Sequence, residues 1–197
     1  MSDSIQLTSI LGSTTSPGRL HRAVNGALDR AEDALAVSTT RIDLGEVDLA
    51  FADGTPLDQL EDDSAGVVGA IAAADAVLLA TPVYRGSLTG SLKNLIDLTP
   101  VEALQGKPVL IVAMGASEHH SLGVERHLRD ILSFFGALVV PGDVYLTSRD
   151  FTDGVPGESG AELLDQGLAG LVALTRATGG IASLGPDPLI ARLSRGR

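Results

Sequence analysis

Two runs of the chain are apolar without interruption: Ala76-Val77-Leu78-Leu79-Ala80 and, thirty residues on, Pro108-Val109-Leu110-Ile111-Val112-Ala113. A strand with one face in water alternates apolar and polar residues, so an unbroken apolar run belongs to a strand buried on both faces, as in a parallel sheet. Helical spacing fills the intervals. In residues 19–36 the apolar positions Leu20, Val24, Ala27, Leu28, Ala31 and Leu35 recur with the period of a helix. Residues 88–98, 122–135 and 162–176 have helical patterns too. Residues 57–63 are acidic and 65–74 small and apolar, which together predict one helix with a negatively charged start, favourable for its dipole. Residues 5–11, 38–44 and 138–145 complete the strands.

Strands alternating with helices in units of about thirty residues specify an α/β fold with helices on both faces of the sheet. Five strands in 197 residues match the flavodoxin-like three-layer sandwich, a five-stranded parallel sheet of order 2-1-3-4-5. We assign residues 1–178 to this one domain. Gly179-Gly180 ends the last helix, and residues 179–197 form a tail containing Arg192, Arg195 and Arg197. The tail reads either as a solvated, partly ordered end or as an arm over a neighbouring subunit.

Composition narrows the function. Lys plus Arg is 14 and Asp plus Glu 25, a net charge of −11, which opposes binding to nucleic acid or an anionic membrane. Aromatics are 3% and Trp is absent, so a base-stacking surface has little to be built from. The absence of Cys excludes disulfides, thiolate metal sites and Cys nucleophiles. The first residues lack a basic start followed by an apolar run, and no stretch of about 18 apolar residues occurs. The expectation is a soluble cytoplasmic protein.

In open α/β sheets ligands bind beyond the carboxyl ends of the strands, which selects three loops. The first, Gly12-Ser13-Thr14-Thr15-Ser16-Pro17-Gly18-Arg19, leads into a helix whose free N–H groups and dipole suit an anion. Arg19 adds a planar donor fork. The same residues also suit an ordinary capped turn, and they form neither a Walker loop nor a Gly-x-Gly-x-x-Gly fingerprint. The second loop, Thr81-Pro82-Val83-Tyr84-Arg85-Gly86-Ser87-Leu88-Thr89-Gly90, carries one of only two tyrosines. The third, Met114-Gly115-Ala116-Ser117-Glu118-His119-His120, has small residues that let backbone approach a flat ligand. His119, His120 and His127 do not have zinc spacing. No Gly-x-Ser-x-Gly elbow is present, and Asp97, Asp130 and Asp143 read as capping or bridging acids. The loops form a ligand cradle, as a cofactor enzyme needs.

The stretch Ala80-Thr81-Pro82-Val83-Tyr84, then Ser91-Leu92-Lys93-Asn94-Leu95-Ile96-Asp97-Leu98 and Ala103-Leu104-Gln105-Gly106-Lys107, resembles the NAD(P)H-dependent FMN reductases of flavodoxin-like fold. Within them it is most similar to the reductase components of alkanesulfonate and methanesulfonate monooxygenases. The resemblance covers roughly residues 5–175. It implies FMN in the three loops. Ser13, Thr15, Ser16, Gly18, Arg19 and Leu20 would surround the phosphate. Pro82, Val83, Tyr84, Arg85 and Gly86 would edge the isoalloxazine ring, mostly through backbone N–H groups, with Gly115, Ala116 and Ser117 on the other side. NADPH or NADH would stack on the ring, and hydride would pass from nicotinamide C4 to flavin N5 without a catalytic acid or base. The metal content expected is none.

One departure stands out: members of the family often have Ser or Thr just after the loop arginine, where this chain has Leu20-His21-Arg22. The cradle would then rest on Arg19 with Arg22 or His21, or be weaker. Arg85, His120 and Arg126 are candidates for a 2′-phosphate pocket. The resemblance also implies a homodimer or homotetramer paired through the helix at 88–98 and reduced FMN passed to a flavin-dependent monooxygenase. Two other readings remain open: an enzyme that keeps FMN and reduces quinones, azo dyes or metal ions, and a non-enzymatic electron carrier.

Overall fold

A computed structural model describes residues 4–13, 17–118, 121–181, 184–188 and 192, the side chains of Ser121 and Leu122 excepted. The elements run β1 (Ile5–Leu11), α1 (Arg19–Leu35), β2 (Val37–Asp43), α2 (Ser64–Ala73), β3 (Ala76–Pro82), α3 (Gly90–Leu98) and β4 (Pro108–Met114). They continue with α4 (Ser121–Phe135), β5 (Leu138–Val139), β6 (Val144–Leu146), β7 (Phe151–Thr152), β8 (Val155–Pro156) and α5 (Glu158–Thr178). The sheet is parallel in the order β2-β1-β3-β4-β5, with β6 also on β4, while β7 and β8 form a separate antiparallel hairpin. This is the expected flavodoxin-like order with one extra short strand.

The unbroken apolar runs are the central strands. Val77, Leu78, Leu79, Leu110, Ile111 and Val112 are all nearly inaccessible to solvent. Alternate side chains supply two cores. Leu78, Leu110 and Val112 face α1 and α5, joining Leu28, Leu164 and Leu168. Val77, Leu79 and Ile111 face α2, α3 and α4, joining Ile71, Leu92 and Leu128. The apolar side of α3, namely Leu92, Leu95 and Ile96 together with Leu88 just ahead of it, lies in this second core.

Three expectations are corrected. The strand expected at 138–145 is two strands. Val140 still donates to Val109 O at 2.9 Å, but Pro141, which has no N–H, and Gly142, at φ 77°, then turn the chain out of the ladder. Arg129 of α4 takes over the carbonyls released there, donating from Nη2 to Val140 O and Gly142 O, both at 2.8 Å. The acidic stretch 57–63 is no helix beyond a short 3-10 turn at Leu57–Gln59. Its acids bond backbone amides instead: Asp62 Oδ1 accepts from Ser64 N at 2.8 Å, and Asp63 Oδ2 from Asp48 N at 2.8 Å. The helix expected from 88 starts at Gly90, because Thr89 caps it by accepting from Leu92 N.

Beyond α5 the chain folds back on its own domain. Gln105 Nε2 donates to Asp187 Oδ1 at 2.8 Å, and Pro188 packs onto Gly136, where a Cβ would lie 2.8 Å from the ring. Residues 189–191 and 193–197, on which the arm reading turns, lie outside the described residues.

At the β5–β6 break, Asp143 Oδ2 is buried with no partner among the described residues. Burial, and then the charge of Glu125, raise the Asp143 carboxyl above its ordinary 3.8. A raised acid favours the folded state below its unfolded pKa, and that contribution is lost as pH rises through the folded value. Asp143→Asn is therefore expected to be more stable than the parent at pH 7, with the advantage shrinking as pH falls toward 4. Urea unfolding across that range checks it; a pH-independent difference would show that the carboxyl titrates alike in both states.

Candidate functional site

The strand order reverses between β1 and β3, and the loops after β1, β3 and β4 converge above that point. Hydrogen bonds tie them into one platform. Gly12 N donates to Ala80 O at 2.7 Å, laying the first loop on the end of β3. Gly12 lies so close to its neighbours that a Cβ would sit 3.0 Å from both Ala80 O and Leu92 Cβ. Thr89 Oγ1, at the head of α3, donates to Gly12 O at 2.5 Å, and Thr89 N donates to Thr81 Oγ1 at 3.2 Å. The first and second loops are thus joined through one buried threonine. Val83 N donates to Met114 O at 2.8 Å, joining the second loop to the third, and Gly115 N donates to Leu146 O at 2.9 Å, joining the third to β6.

The first loop leads into a helix start without a side-chain cap. Gly18 is the N-cap of α1, with no side-chain cap bond, so the helix dipole faces the loop without a competing carboxylate. The first intrahelical bond at this end runs from Arg22 N to Gly18 O, leaving the N–H groups of Arg19, Leu20 and His21 without intrahelical acceptors. Arg19 is exposed, with its guanidinium carbon 5.5 Å from the centre of the Phe151 ring. Ser13 is buried. Leu20 is buried in the first core, so only its main chain can serve the loop. Thr15 and Ser16 lie outside the described residues, as do His119 and His120.

His21 and Arg22 have other work. His21 Nε2 bonds Asp43 Oδ2 at 2.6 Å with both side chains buried. Arg22 donates from Nε to Gly154 O at 2.8 Å and from Nη1 to Pro17 O at 3.1 Å, tying the β7–β8 hairpin to the loop. Arg19 is therefore the cation at the helix start whose guanidinium makes no hydrogen bond or ion pair among the described residues, and the sequence expectation that Arg22 or His21 share its task gives way to these contacts.

The second loop is a two-residue hairpin. Tyr84 and Ser87 exchange both backbone bonds, at 2.8 and 3.0 Å. Arg85 and Gly86 between them have φ 53° and 77°, the signature of a type I′ turn. Glycine suits this conformation; arginine adopts it at a cost, and such strain concentrates at ligand sites. The amides of Val83 and Tyr84 are already bonded, so of the expected ring-edging N–H groups those of Arg85 and Gly86 remain available among the described residues. Tyr84 is 51% exposed.

Sequence reasoning missed what supports the third loop. Tyr145 of β6, the chain's other tyrosine, donates from Oη to Ser117 O at 2.8 Å. Burial, and then the charge of Asp143, hold its hydroxyl above the usual value of 10.0, so it stays a donor. Gly115 lies directly against it: a Cβ there would fall 1.8 Å from the Tyr145 hydroxyl oxygen. Phe151, against Arg19, was missed as well, as was the capping and bridging role of Thr89, a member of the second loop. The rarity of tyrosine and the position of Tyr145 at a strand end were the available signals. A groove of about 230 Å³ continues the third loop, lined by Ala116, Ser117, Glu118, Thr147, Ser148 and Arg149. Among the described residues no cluster of three or more His, Asp or Glu could hold a metal ion, and no helix is long and apolar enough to cross a membrane.

These features fit FMN: uncapped helix amides and a cation for a phosphate, small residues and free amides for the edge of a flat ring. Gly115→Ala is expected to displace the third loop and weaken FMN binding about tenfold or more, with partial recovery when combined with Tyr145→Phe. Titration of the flavin absorbance measures both; unchanged binding in the single variant would remove the third loop from the site. Arg19→Ala is expected to weaken FMN far more than riboflavin, which lacks the phosphate. Equal losses for the two would show that Arg19 does not touch the phosphate.

The comparisons with known proteins agree with this chemistry. The family model described as NADPH-dependent FMN reductase matches residues 5–152. The NADH-dependent FMN reductase SfnF of Pseudomonas fluorescens is 35% identical over 78% of this chain and 82% of its own length. An FMN reductase (NADPH) of Pseudomonas aeruginosa is 32% identical over 77% of this chain and 81% of its own. The crystal structure of an oxidoreductase from Corynebacterium diphtheriae superposes with a TM-score of 0.71 at 27% identity, covering 89% of this chain and 99% of the other. The chain belongs to the NADPH-dependent FMN reductase family, oxidoreductases that use FMN and a nicotinamide nucleotide.

Proposed function

We propose that this NAD(P)H-dependent FMN reductase treats FMN as a substrate, binding it on the platform above β1, β3 and β4, and releases it reduced to a separate flavin-dependent monooxygenase. The openness of the platform carries this reading. Tyr84, half exposed, is the only Phe, Tyr or Trp in the three loops, so the loops themselves bring a single aromatic side chain to the ring. The resemblance to monooxygenase reductase components supports the destination.

FMN, when bound, supplies the hydride acceptor. The protein supplies position. The start of α1 and Arg19 hold the phosphate end, the Arg85 and Gly86 amides hold the ring edge, and the Gly115–Ser117 backbone lines the other side. None of these groups needs to exchange a proton during hydride transfer. Orientation of two bound reactants can lower a barrier by about 7–11 kcal/mol in favourable cases, and a braced platform suits that task. The soluble cytoplasmic setting and the homodimer or homotetramer belong to the same proposal, as does the division into a domain of residues 1–178 and a tail of 179–197.

The test is oxidation of NADH and NADPH by purified protein with and without free FMN. A rate near zero alone that saturates at micromolar FMN is expected. A protein that purifies yellow, ignores added FMN and turns over a quinone or azo dye would overturn the substrate reading in favour of a resident flavin.

A further inference from the structure

The hairpin at Tyr84–Ser87 stands on α4. Gly123 lies beneath its tip: a Cβ on Gly123 would come 3.3 Å from Gly86 O. One helical turn on, His127 Nδ1 lies 3.0 Å from Ser87 Oγ. Residues i and i+4 share a helix face, so Gly123 and His127 form one seat, glycine giving room and histidine a bond. Ser87 is also the residue that closes the hairpin through its backbone bonds with Tyr84. Among the described residues the bond to Ser87 Oγ is the one hydrogen bond or ion pair of the His127 side chain.

We infer that His127 is a positioning residue for the flavin site, acting through Ser87 to hold the hairpin in the conformation that presents the Arg85 and Gly86 amides. The inference rests on the proposal that this hairpin edges the flavin ring. Its physical basis is the turn itself. Arg85 at φ 53° is in a region that non-glycine residues leave readily, and Arg85 and Gly86 are both exposed. Two backbone bonds close the turn from within, and the Ser87–His127 bond is its side-chain tether to a helix. The tether works in either protonation state of the imidazole, because a serine hydroxyl can donate to the neutral ring nitrogen or accept from the protonated one. His127 touches no reacting atom in this arrangement, so its loss acts on flavin affinity and leaves the hydride step nearly unchanged.

The hairpin also carries its own reporter, since Arg85–Gly86 is a trypsin site at an exposed tip. A protease needs the turn opened, and when reclosing is fast its rate follows the open population. A net hydrogen bond corresponds to a change of about twofold to tenfold in such a population. His127→Leu is expected to speed cleavage at Arg85, followed by peptide mass, about threefold to tenfold. It should raise the KM for FMN by a similar factor and leave kcat within about twofold. Ser87→Ala should match it, and the double variant should be no worse than either single one. His127→Asn, which can place an amide nitrogen near the Nδ1 position, should recover most of the loss. Unchanged cleavage in both single variants, additive effects in the double variant, or a fall in kcat at constant KM would each overturn the inference. A separate arm addresses the underlying proposal: FMN added to the parent protein should protect Arg85. Absence of that protection would remove the hairpin from the flavin site, while the tether itself would still be judged by cleavage in the variants.

Discussion

The Thr89 hydroxyl is the point at which this structure turns from a sheet into a site. It is buried, donates to Gly12 O at 2.5 Å and accepts from Leu92 N at 3.3 Å, while its amide donates to Thr81 Oγ1. One residue therefore starts α3 and fixes the loop after β1 through its hydroxyl, and orders the loop after β3 through its amide. A buried carbonyl left without its donor costs about 1–3 kcal/mol, so Gly12 and Thr89 are coupled energetically as well as geometrically. The platform needs that coupling because its parts come from strands that meet only in the folded sheet: Gly12 and Thr89 are far apart in sequence and adjacent in space.

What was legible in the sequence is what periodicity and chain order encode. Continuous apolar runs locate the buried strands, helical spacing locates the covering helices, and the rule for open sheets then points to three loops. The errors fall where single side chains override a pattern. Residues 138–145 look like one strand because Val139, Val140, Val144 and Tyr145 favour strands; Pro141 and Gly142 break it, and Arg129 on the preceding helix makes the break tolerable. Residues 57–63 look like an acidic helix start because Asp and Glu favour that position; here Asp62 and Asp63 accept from backbone amides of a loop and of α2, a preference the handed-down pattern of charge does not reveal.

The site shows the same division. Family resemblance and the Pro-Val-Tyr-Arg-Gly motif locate the hairpin, but its turn type depends on φ at Arg85 and its seating on Gly123 and His127 of another element. Tyr145 is separated from Ser117 by 28 positions and supports it through one hydroxyl. Leu20-His21-Arg22 stood out as a departure from the family's Ser or Thr residues, with Arg22 or His21 as candidates to assist Arg19. Burial draws Leu20 into the core, Asp43 captures His21, and the carbonyls of Pro17 and Gly154 capture Arg22. Residue type was informative, yet the partner that satisfies each group was decided by tertiary contacts.

Charge gives the last step of the argument. A protein of net charge −11 repels both FMN and a nicotinamide nucleotide at long range. Beyond a Debye length, about 8 Å at physiological ionic strength, that repulsion is largely screened, and a bound anion feels mainly what is near it. Near it are the uncapped amides of α1 and the Arg19 guanidinium, attractive but set in an acidic surface and open to water. On the proposed function, local attraction at the start of α1 on a chain of net charge −11 suits a flavin that must leave after reduction, whereas a resident cofactor would call for deeper burial.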